Sequence, residues 1–262
     1  MITVIILTKN EENNIVRCLE SLVWCDRIII VDDYSEDKTI ERIKKYESTY
    51  LRLPAQVGRQ GIRNIEILKR KLSGDFATQR NFALSKVKNG WVLFIDADEE
   101  VSGALTTEIK EKINIDSCNG WFIRRVDNFM GRRLYFGETG NISFIRLGKK
   151  DVGRWHGRVH ETWQIKGKTG KLENTLTHYP HPGISEFLAD INFFTDIVAQ
   201  YWKEQGRVLP AWEIVFFPLG KFLKNYFFKL GFLDGNAGFI MAAMMSFHSF
   251  LVRSKYWLSK QS

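Results

Sequence analysis

The sequence predicts an α/β fold, with a mostly parallel sheet covered by helices on both faces. Short apolar runs rich in β-branched residues, at 4–7 and 28–31, alternate with segments whose apolar residues recur at helical spacing. The run at 91–95, WVLFI, is apolar throughout and has the length of a strand buried on both faces. Strands that alternate with helices form parallel sheets, because each crossover helix returns the chain to the same edge.

The elements between these strands follow from the same patterns. Apolar residues recur at helical spacing across 15–22, which predicts a first helix. Ser35 has the chemistry of an N-cap residue and is followed by acidic residues, so a second helix should begin directly after it. The run 65–68 predicts a third strand, and the pattern of 76–87 predicts a helix that leads into WVLFI. We interpret residues 52–64 as a loop insertion.

The pattern changes after residue 120. Strand-like stretches separated by glycines, namely WFIRRV, NISFIRL and TWQI, predict a β-rich part that ends near residue 177. From Ile184 onward the apolar spacing is helical, and it predicts three helices at 184–205, 211–230 and 236–257.

The composition is typical of a globular cytoplasmic protein. With 262 residues and 44% hydrophobic content, the chain can bury a sizeable core. Its three cysteines form no CxxC pair, which argues against a disulfide framework or a structural zinc site and suits a reducing compartment. The chain opens on the strand-like stretch ITVIIL, with no basic leader region or cleavage site, so we expect no signal peptide.

The net charge of +8 is concentrated in parts of the chain, and the C-terminal part predicts a membrane partner. Residues 201–262 hold eight Lys and Arg against three acidic residues, with fifteen of the 35 aromatic residues. Lys221, Lys224 and Lys229 lie among aromatic residues, as in an interfacial helix. Because no nucleic-acid-binding motif accompanies them, we expect an anionic membrane surface and no nucleic acid.

The uncharged stretch 235–252 is close to the length of about 20 residues that a spanning helix needs. It also contains polar residues, and a charge follows at Arg253. We therefore favour peripheral association over a spanning helix. A hydrophobic core helix or a dimer interface is the other interpretation of this stretch.

Asp96 and Asp98 directly follow the apolar run WVLFI. The carboxyl ends of strands are where α/β sheets place their ligands. Residues two apart in a strand point to the same side, so both carboxylates can face one cation or one diphosphate. Mg²⁺ and Mn²⁺ prefer oxygen ligands and often share them with substrate phosphates. For an isolated Asp-x-Asp, the alternative is a solvated acidic turn.

Two more polar clusters reduce the weight of that alternative. TKNEE follows the first strand and DDYSED follows the second, while DADE follows WVLFI. Gathering so many carboxylates at one edge of a sheet costs repulsion unless a cation and hydrogen-bond donors of a ligand offset it. The three clusters together therefore predict a site for a metal ion and a nucleotide.

The order of motifs resembles glycosyltransferase family 2, the inverting nucleotide-sugar transferases. The resemblance rests on ILTKNEE, VDDYSEDKT, QRNFAL and FIDADEE, which lie in that order within residues 1–105. Farther along, RVHETW, the Leu-Thr-His at 176–178 and the tail FLKNYFFKLGFLDGNAGF resemble the bacterial lipopolysaccharide inner-core β-1,4-glucosyltransferases. The resemblance thus extends over nearly the whole chain.

The resemblance implies the GT-A fold, a Rossmann-like sheet flanked by helices, with a C-terminal helical membrane-associating extension. Residues 1–180 would form the catalytic domain, with a nucleotide-sugar-binding half at 1–105 and an acceptor half at 106–180. Residues 181–262 would form the helical extension. The implied enzyme is peripheral on the inner face of the cell membrane.

The implied activity is metal-dependent, inverting transfer of a hexose, glucose from UDP-glucose, onto a lipopolysaccharide core or another lipid-linked glycan. Within the family, another donor or another acceptor (capsule, glycolipid or protein) is the alternative. A nucleotidyltransferase is a second class, although TKNEE replaces the glycine-rich phosphate loop expected there. A non-catalytic membrane-binding protein is a third.

The resemblance also implies site roles. Arg80 would lie near the diphosphate or the sugar, the alternative being an ordinary surface arginine. Mg²⁺ or Mn²⁺ would be bound by Asp98, with Asp96 on the ribose or the metal and His178 as a further metal or diphosphate contact. For His178, as for His160, the alternative is an ordinary loop or core histidine. The residues expected to line the nucleotide pocket are Thr8, Asn10, Glu11, Glu12 and either Asp32 or Asp33.

Inversion is a single displacement, so one carboxylate must take the proton from the acceptor hydroxyl. Glu161, in Val-His-Glu, is the candidate base, and Glu138, in FGETGN, is the second candidate. The alternative for Glu161 is a structural ion pair with a neighbour such as Arg158.

Overall fold

The computed structural model describes residues 1–50, 64–115, 117–140, 142–158 and 161–260, so the predicted loop insertion lies almost wholly outside the described residues. Two compact units are formed by Met1–Arg125 with Ser143–His178, and by Val126–Ile142 with Tyr179–Ser262. Residues 126–142 thus group with the C-terminal helices. The functional division at residue 180 stays a prediction.

The strands are β1 (Ile2–Thr8), β2 (Arg27–Asp32), β3 (Ile65–Lys69), β4 (Trp91–Asp96), β5 (Glu99–Val101), β6 (Gly120–Phe129), β7 (Arg132–Arg133), β8 (Ile142–Lys149), β9 (Gly153–His156), β10 (Thr162–Ile165) and β11 (Thr169–His178). The helices are α1 (Ile15–Glu20), α2 (Thr39–Tyr50), α3 (Phe76–Ser85), α4 (Gly103–Ile115), α5 (Ile184–Glu204), α6 (Glu213–Leu223) and α7 (Gly235–Leu258).

The N-terminal half of the first unit is a parallel sheet in the order β3-β2-β1-β4. Its strands are apolar on both faces because each face packs against its own layer of side chains. Ile6 belongs to one core cluster and Ile5 to the other, and both are fully buried. The α/β fold predicted from the alternation of strands and helices is confirmed.

The sheet becomes mixed beyond β4. The next strand, β8, runs antiparallel to β4, with Leu93 opposite Leu147, and the order continues β8-β6-β11-β5. β9 and β10 form a separate antiparallel pair. Trp155 and Trp163 of this pair pack edge-on against Phe94, with ring centroids 4.9 and 5.0 Å away. This aromatic cluster covers one face of β4.

The second helix begins at Thr39, so the prediction that it starts directly after Ser35 was wrong. The Asp37 carboxylate accepts from the N–H of Thr39 at 2.9 Å and from its hydroxyl. The Ser35 hydroxyl instead donates to Asp32 at 2.6 Å and accepts from the N–H of Asn10. Ser35 therefore stabilises the loops at the carboxyl edge of the sheet.

The second unit is built on α5, α6 and α7. Phe129 and Leu134, from the 126–142 segment, pack with Phe187 and Met241 of the helices. The predicted helix 211–230 is shorter than expected: α6 ends at Leu223, and a π-helical turn and a 3₁₀ turn follow it. Gly238 is required in α7, because a Cβ there would lie 1.9 Å from the Gly231 carbonyl oxygen.

Within the described residues, the helical stretch Gly231–Leu258 is long and apolar enough to cross a bilayer, and the mean hydropathy of its qualifying 18 residues is 1.3. The criterion rests on length and composition, and core helices of water-soluble proteins meet it as well.

Candidate active site

The carboxyl ends of β1, β2 and β4 lie side by side, because β1 pairs in parallel with both neighbours. Thr8 stands opposite Asp32, and Leu7 stands opposite Asp96. The N–H of Asp33 also donates to the Thr8 carbonyl at 2.9 Å. The acidic strand ends that the sequence places on one edge of the sheet therefore lie together.

Hydrogen bonds lock the loop after β1 to the loop after β2. The N–H of Asn10 donates to Ser35 Oγ at 2.9 Å, and Asn10 Oδ1 accepts from the N–H of Glu36 at 2.9 Å. The N–H groups of Glu11 and Glu12 donate to side-chain oxygens of the second loop at 2.7 and 3.0 Å. Asn10 has a φ of 55°, a conformation that asparagine tolerates better than most residues. These residues form a preorganised rim beside the sheet edge.

Asp32 and Asp33 differ in what they can offer a ligand. Asp32 is fully buried and accepts from the N–H and hydroxyl of Ser35, so it stabilises the turn. Asp33 accepts from the N–H of Leu72 at 2.9 Å and from Lys9 Nζ at 3.1 Å. The Lys9 side chain is 49% exposed, so a ligand donor can replace it without uncovering a buried charge. Of the two carboxylates, Asp33 is the more exposed, with 11% of its side chain accessible to solvent.

Arg80 is buried and joins two of the predicted site residues. Its Nε donates to Glu161 at 2.8 Å, and its Nη2 donates to Asp96 at 2.9 Å. The guanidinium lies over the rings of Trp155 and Phe94, 4.8 and 5.7 Å from their centroids. The alternative of an ordinary surface arginine does not hold for a side chain that is 5% exposed.

Arg146, on β8, holds Asp96 from the other side. Its Nη2 donates to Asp96 Oδ2 at 2.7 Å and to Glu99 Oε1 at 3.1 Å. Glu99 also accepts the N–H of Asp96 at 2.9 Å, and Arg125 lies 4.0 Å from its Oε1. With Arg80 and Glu161 included, the network joins three arginines to three carboxylates, and their formal charges cancel.

The arginines determine the charge state of the network. Burial alone would raise the pKa of the Asp96 carboxyl, but the charges of Arg146 and Arg80 outweigh it and hold that pKa well below its usual range. Burial raises the pKa of Glu99 despite the opposing charge of Arg146, and the neighbouring Asp96 charge acts in the same direction as burial. Asp96 is thus a fixed anion whose two oxygens are both occupied by guanidinium groups.

Asp98 points to a different partner. The strand β4 ends at Asp96, so the rule that residues two apart share a side does not apply to this pair. Asp98 Oδ2 lies 3.0 Å from His178 Nε2, at the end of β11. Neighbouring ligands about 2.1 Å from one octahedral cation are about 3.0 Å apart, so this oxygen–nitrogen pair fits two positions of a divalent ion. The described residues contain no cluster of three or more metal-ligating side chains.

The two candidate bases have different surroundings. Glu161 belongs to the first unit and is bound by Arg80, not by the Arg158 considered from sequence; its side chain is 14% exposed. Glu138 belongs to the second unit, where it accepts from Asn225 Nδ2 at 2.7 Å and pairs with Lys221 Nζ at 3.1 Å. His160, the residue before Glu161, lies outside the described residues.

Sequence reasoning missed Arg146 and Arg125, and it placed Glu99 in the acidic cluster without a role. One signal was present for Arg146: a charged residue inside the strand-like stretch NISFIRL is unusual unless it is paired. Nothing local identifies Asp96 as its partner, because the two residues are 50 positions apart.

A comparison with known protein families identifies the family to which this sheet edge and its acidic residues belong. The model described as "Glycosyl transferase family 2" matches residues 3–172, which is more than half of the chain. The chain belongs to glycosyltransferase family 2. It is therefore a transferase, and the resemblance inferred from the strand-end motifs is confirmed. The match includes Asp96, Asp98, Arg146 and Glu161.

Curated relatives of this family 2 chain carry glycosyltransferase names. It is 28% identical, over 96% of its length and 90% of the relative, to the lipopolysaccharide core biosynthesis glycosyltransferase LpsC of Rhizobium meliloti. It is 27% identical, over 97% and 86%, to the uncharacterized glycosyltransferase RP128 of Rickettsia prowazekii. Among solved structures, S. aureus TarS 1–349 in complex with UDP-GlcNAc aligns with a TM-score of 0.49 and 14% identity, covering 99% of this chain and 91% of that one.

Proposed function

We propose that this protein transfers a hexose with inversion, from a UDP-sugar to a lipid-linked glycan of the lipopolysaccharide core type, with a divalent cation. The observation that carries the proposal is the shared edge of β1, β2 and β4, where acidic residues and a buried arginine pair meet in a family 2 chain. The name of the Rhizobium relative, a lipopolysaccharide core biosynthesis glycosyltransferase, supports the acceptor class. Glucose as the sugar rests on the resemblance of the C-terminal motifs to inner-core glucosyltransferases.

In this proposal Thr8 and the rim residues Asn10, Glu11 and Glu12 line the nucleotide pocket. Asp33 accepts hydrogen bonds from the uracil or the ribose, since Lys9 can move aside. A preorganised rim lowers the entropic cost of binding, because its loops are ordered before the donor arrives.

Asp98 and His178 are the proposed metal ligands, together with oxygens of the diphosphate. A Mg²⁺ or Mn²⁺ ion held there would supply Lewis-acid stabilisation to the UDP leaving group. Asp96 as a ligand would first have to release Arg80 or Arg146, so we assign it to the ribose side of the site.

Glu161 is the proposed general base. Arg80 Nε donates to its Oε1, which fixes the carboxylate in one orientation. The second oxygen, Oε2, has no hydrogen-bond partner within the described part of the chain, so it is available to take the proton of an acceptor hydroxyl.

The proposed reaction is tested by incubating the purified chain with Mn²⁺ and a panel of UDP-, GDP- and dTDP-sugars. We expect thermal stabilisation by UDP-glucose and slow UDP release, because a ligand that binds the native state shifts its unfolding by mass action. Transfer to a core heptose acceptor should give the β-anomer by NMR. Stabilisation by GDP- or dTDP-sugars alone would reject the UDP donor. An α-anomeric product would reject the single displacement.

A pair of matched substitutions separates the candidate bases. Glu161→Gln should lower kcat by about 100-fold or more while changing the donor Kd little, because general base catalysis contributes about 10²–10⁴-fold. Glu138→Gln, the matched control in the second unit, should leave the pH profile of kcat unchanged. If Glu138→Gln removes the acidic limb of the profile and Glu161→Gln does not, Glu138 is the base.

A further inference from the structure

Helix α6 carries its apolar side chains on the solvent side. Trp212, Val215, Phe216, Leu219 and Leu223 are 55, 63, 61, 53 and 40% exposed. Their spacing of three or four residues places them on one face, which we call the apolar stripe. Beyond the helix the exposed aromatic surface continues, with Phe228 at 84%.

The opposite face of the same segment packs on α7 through Pro218 and Phe222, and it also carries polar groups, which are buried and paired. Glu213 is 8% exposed and binds Arg207 at 2.9 Å, with Arg253 at 3.6 Å. Asn225 is 3% exposed and donates to Glu138, which also binds Lys221. A surface helix of a water-soluble protein shows the reverse arrangement, with its apolar stripe toward the core. This segment is therefore built for an apolar medium on its outer side.

The charged residues of this segment indicate which apolar medium its outer side contacts. Lys224 and Lys229 are exposed at the end of the stripe, where ammonium groups can reach lipid phosphates while their alkyl chains follow the apolar surface. Four of the eight basic residues across 201–262 pair with acidic side chains of the same unit, so Lys224 and Lys229 are the ones that give the outer side of this segment its positive charge, which favours an anionic surface. Lys221 points inward to Glu138 at 3.1 Å, so it does not belong to the membrane-facing charges that composition alone suggested.

We propose that the apolar stripe inserts into the boundary between headgroups and acyl chains of an anionic leaflet, with Lys224 and Lys229 at the phosphates. Apolar insertion provides most of the binding, and the two lysines select for anionic lipid. The inference deepens the proposed function, since it specifies how an enzyme with a lipid-linked acceptor is held at its substrate.

The test is vesicle flotation of the full chain with neutral phosphatidylcholine and with phosphatidylcholine containing phosphatidylglycerol. The triple variant Val215→Gln, Phe216→Gln, Leu219→Gln should bind both vesicle types about 1000-fold more weakly, because each large apolar side chain contributes about tenfold. Lys224→Gln with Lys229→Gln should weaken binding roughly 20-fold on anionic vesicles only. Val23→Gln with Ile115→Gln, which removes two exposed apolar side chains of the first unit, is the matched control and should bind like wild type.

Three results would overturn the inference. One is unchanged binding of the triple variant with loss of binding in the lysine variant, which would leave an electrostatic contact alone. Another is a wild-type chain that forms a dimer and does not bind vesicles, together with a triple variant that is monomeric. That result would mean that the apolar stripe contacts a second copy of the chain. The third is a wild-type chain that releases UDP but does not bind vesicles, a result that would not contradict the proposed function. Vesicle binding without UDP release from any donor rejects the proposed function and not the insertion.

Discussion

Replacing Arg80 with Met should lower the melting temperature by roughly 6–12 °C and reduce kcat by more than about 100-fold. The Met side chain can still pack on Trp155, but it leaves Glu161 and one oxygen of Asp96 unpaired. Removing one partner of a buried ion pair costs about 3–5 kcal/mol. We expect about 3 kcal/mol here, because the Asp96 side chain is 29% exposed and water can reach it. Differential scanning calorimetry and UDP-release kinetics measure the two effects.

Three companion variants distinguish the structural from the catalytic contribution of Arg80. Arg42→Met removes an exposed arginine of α2 and should change neither quantity. Arg80→Lys keeps the charge but loses the planar geometry that bridges two carboxylates, so stability should largely recover while kcat stays low. Arg80→Met combined with Glu161→Gln should regain part of the melting temperature without regaining turnover. A fully stable and active Arg80→Met variant would show that the bridge has no role in the site.

Replacing Asp98 with Asn should reduce Mn²⁺ binding and turnover by more than about 100-fold, with the melting temperature of the metal-free protein nearly unchanged. Residues that only support a metal ligand cost about 10–100-fold when replaced, so a direct ligand should cost at least as much. The side chain is 23% exposed and lies beside His178, so its amide replacement leaves no buried charge unpaired. Titration of Mn²⁺ by EPR, with and without UDP, measures binding independently of catalysis.

The matched control for this metal site is Glu41→Gln, which neutralises an exposed carboxylate on α2. It should bind Mn²⁺ and turn over like wild type. His178→Ala should weaken Mn²⁺ binding in the same direction as Asp98→Asn if both residues are ligands of one ion. Normal Mn²⁺ affinity in Asp98→Asn would reject Asp98 as a ligand and leave the Asp98–His178 contact as a structural hydrogen bond.

The parallel half of the sheet and its acidic edge were predictable because the information is local. Each strand appears as an apolar run, and the polar cluster that ends it is adjacent in sequence. Once the strands are known to be parallel, their carboxyl ends must meet, which brings Thr8, Asp32 and Asp96 together. The predicted start of the second helix was wrong because a contact distant in sequence changed the role of Ser35. Its hydroxyl has the chemistry of an N-cap, but it bonds to Asp32 and to the N–H of Asn10 in the loop after β1.

The sequence by itself determined the order of strands and helices, the family, and the placement of the carboxylates at strand ends, because these depend on short-range periodicity and motif order. Only the tertiary structure decided that Asp96 is held between Arg80 and Arg146 while Asp98 faces His178. It also decided that α6 turns its polar side chains inward. Each of these outcomes depends on which residues distant in sequence become neighbours, and on the large cost of burying a charge without a partner. A local sequence pattern encodes neither these long-range contacts nor that cost.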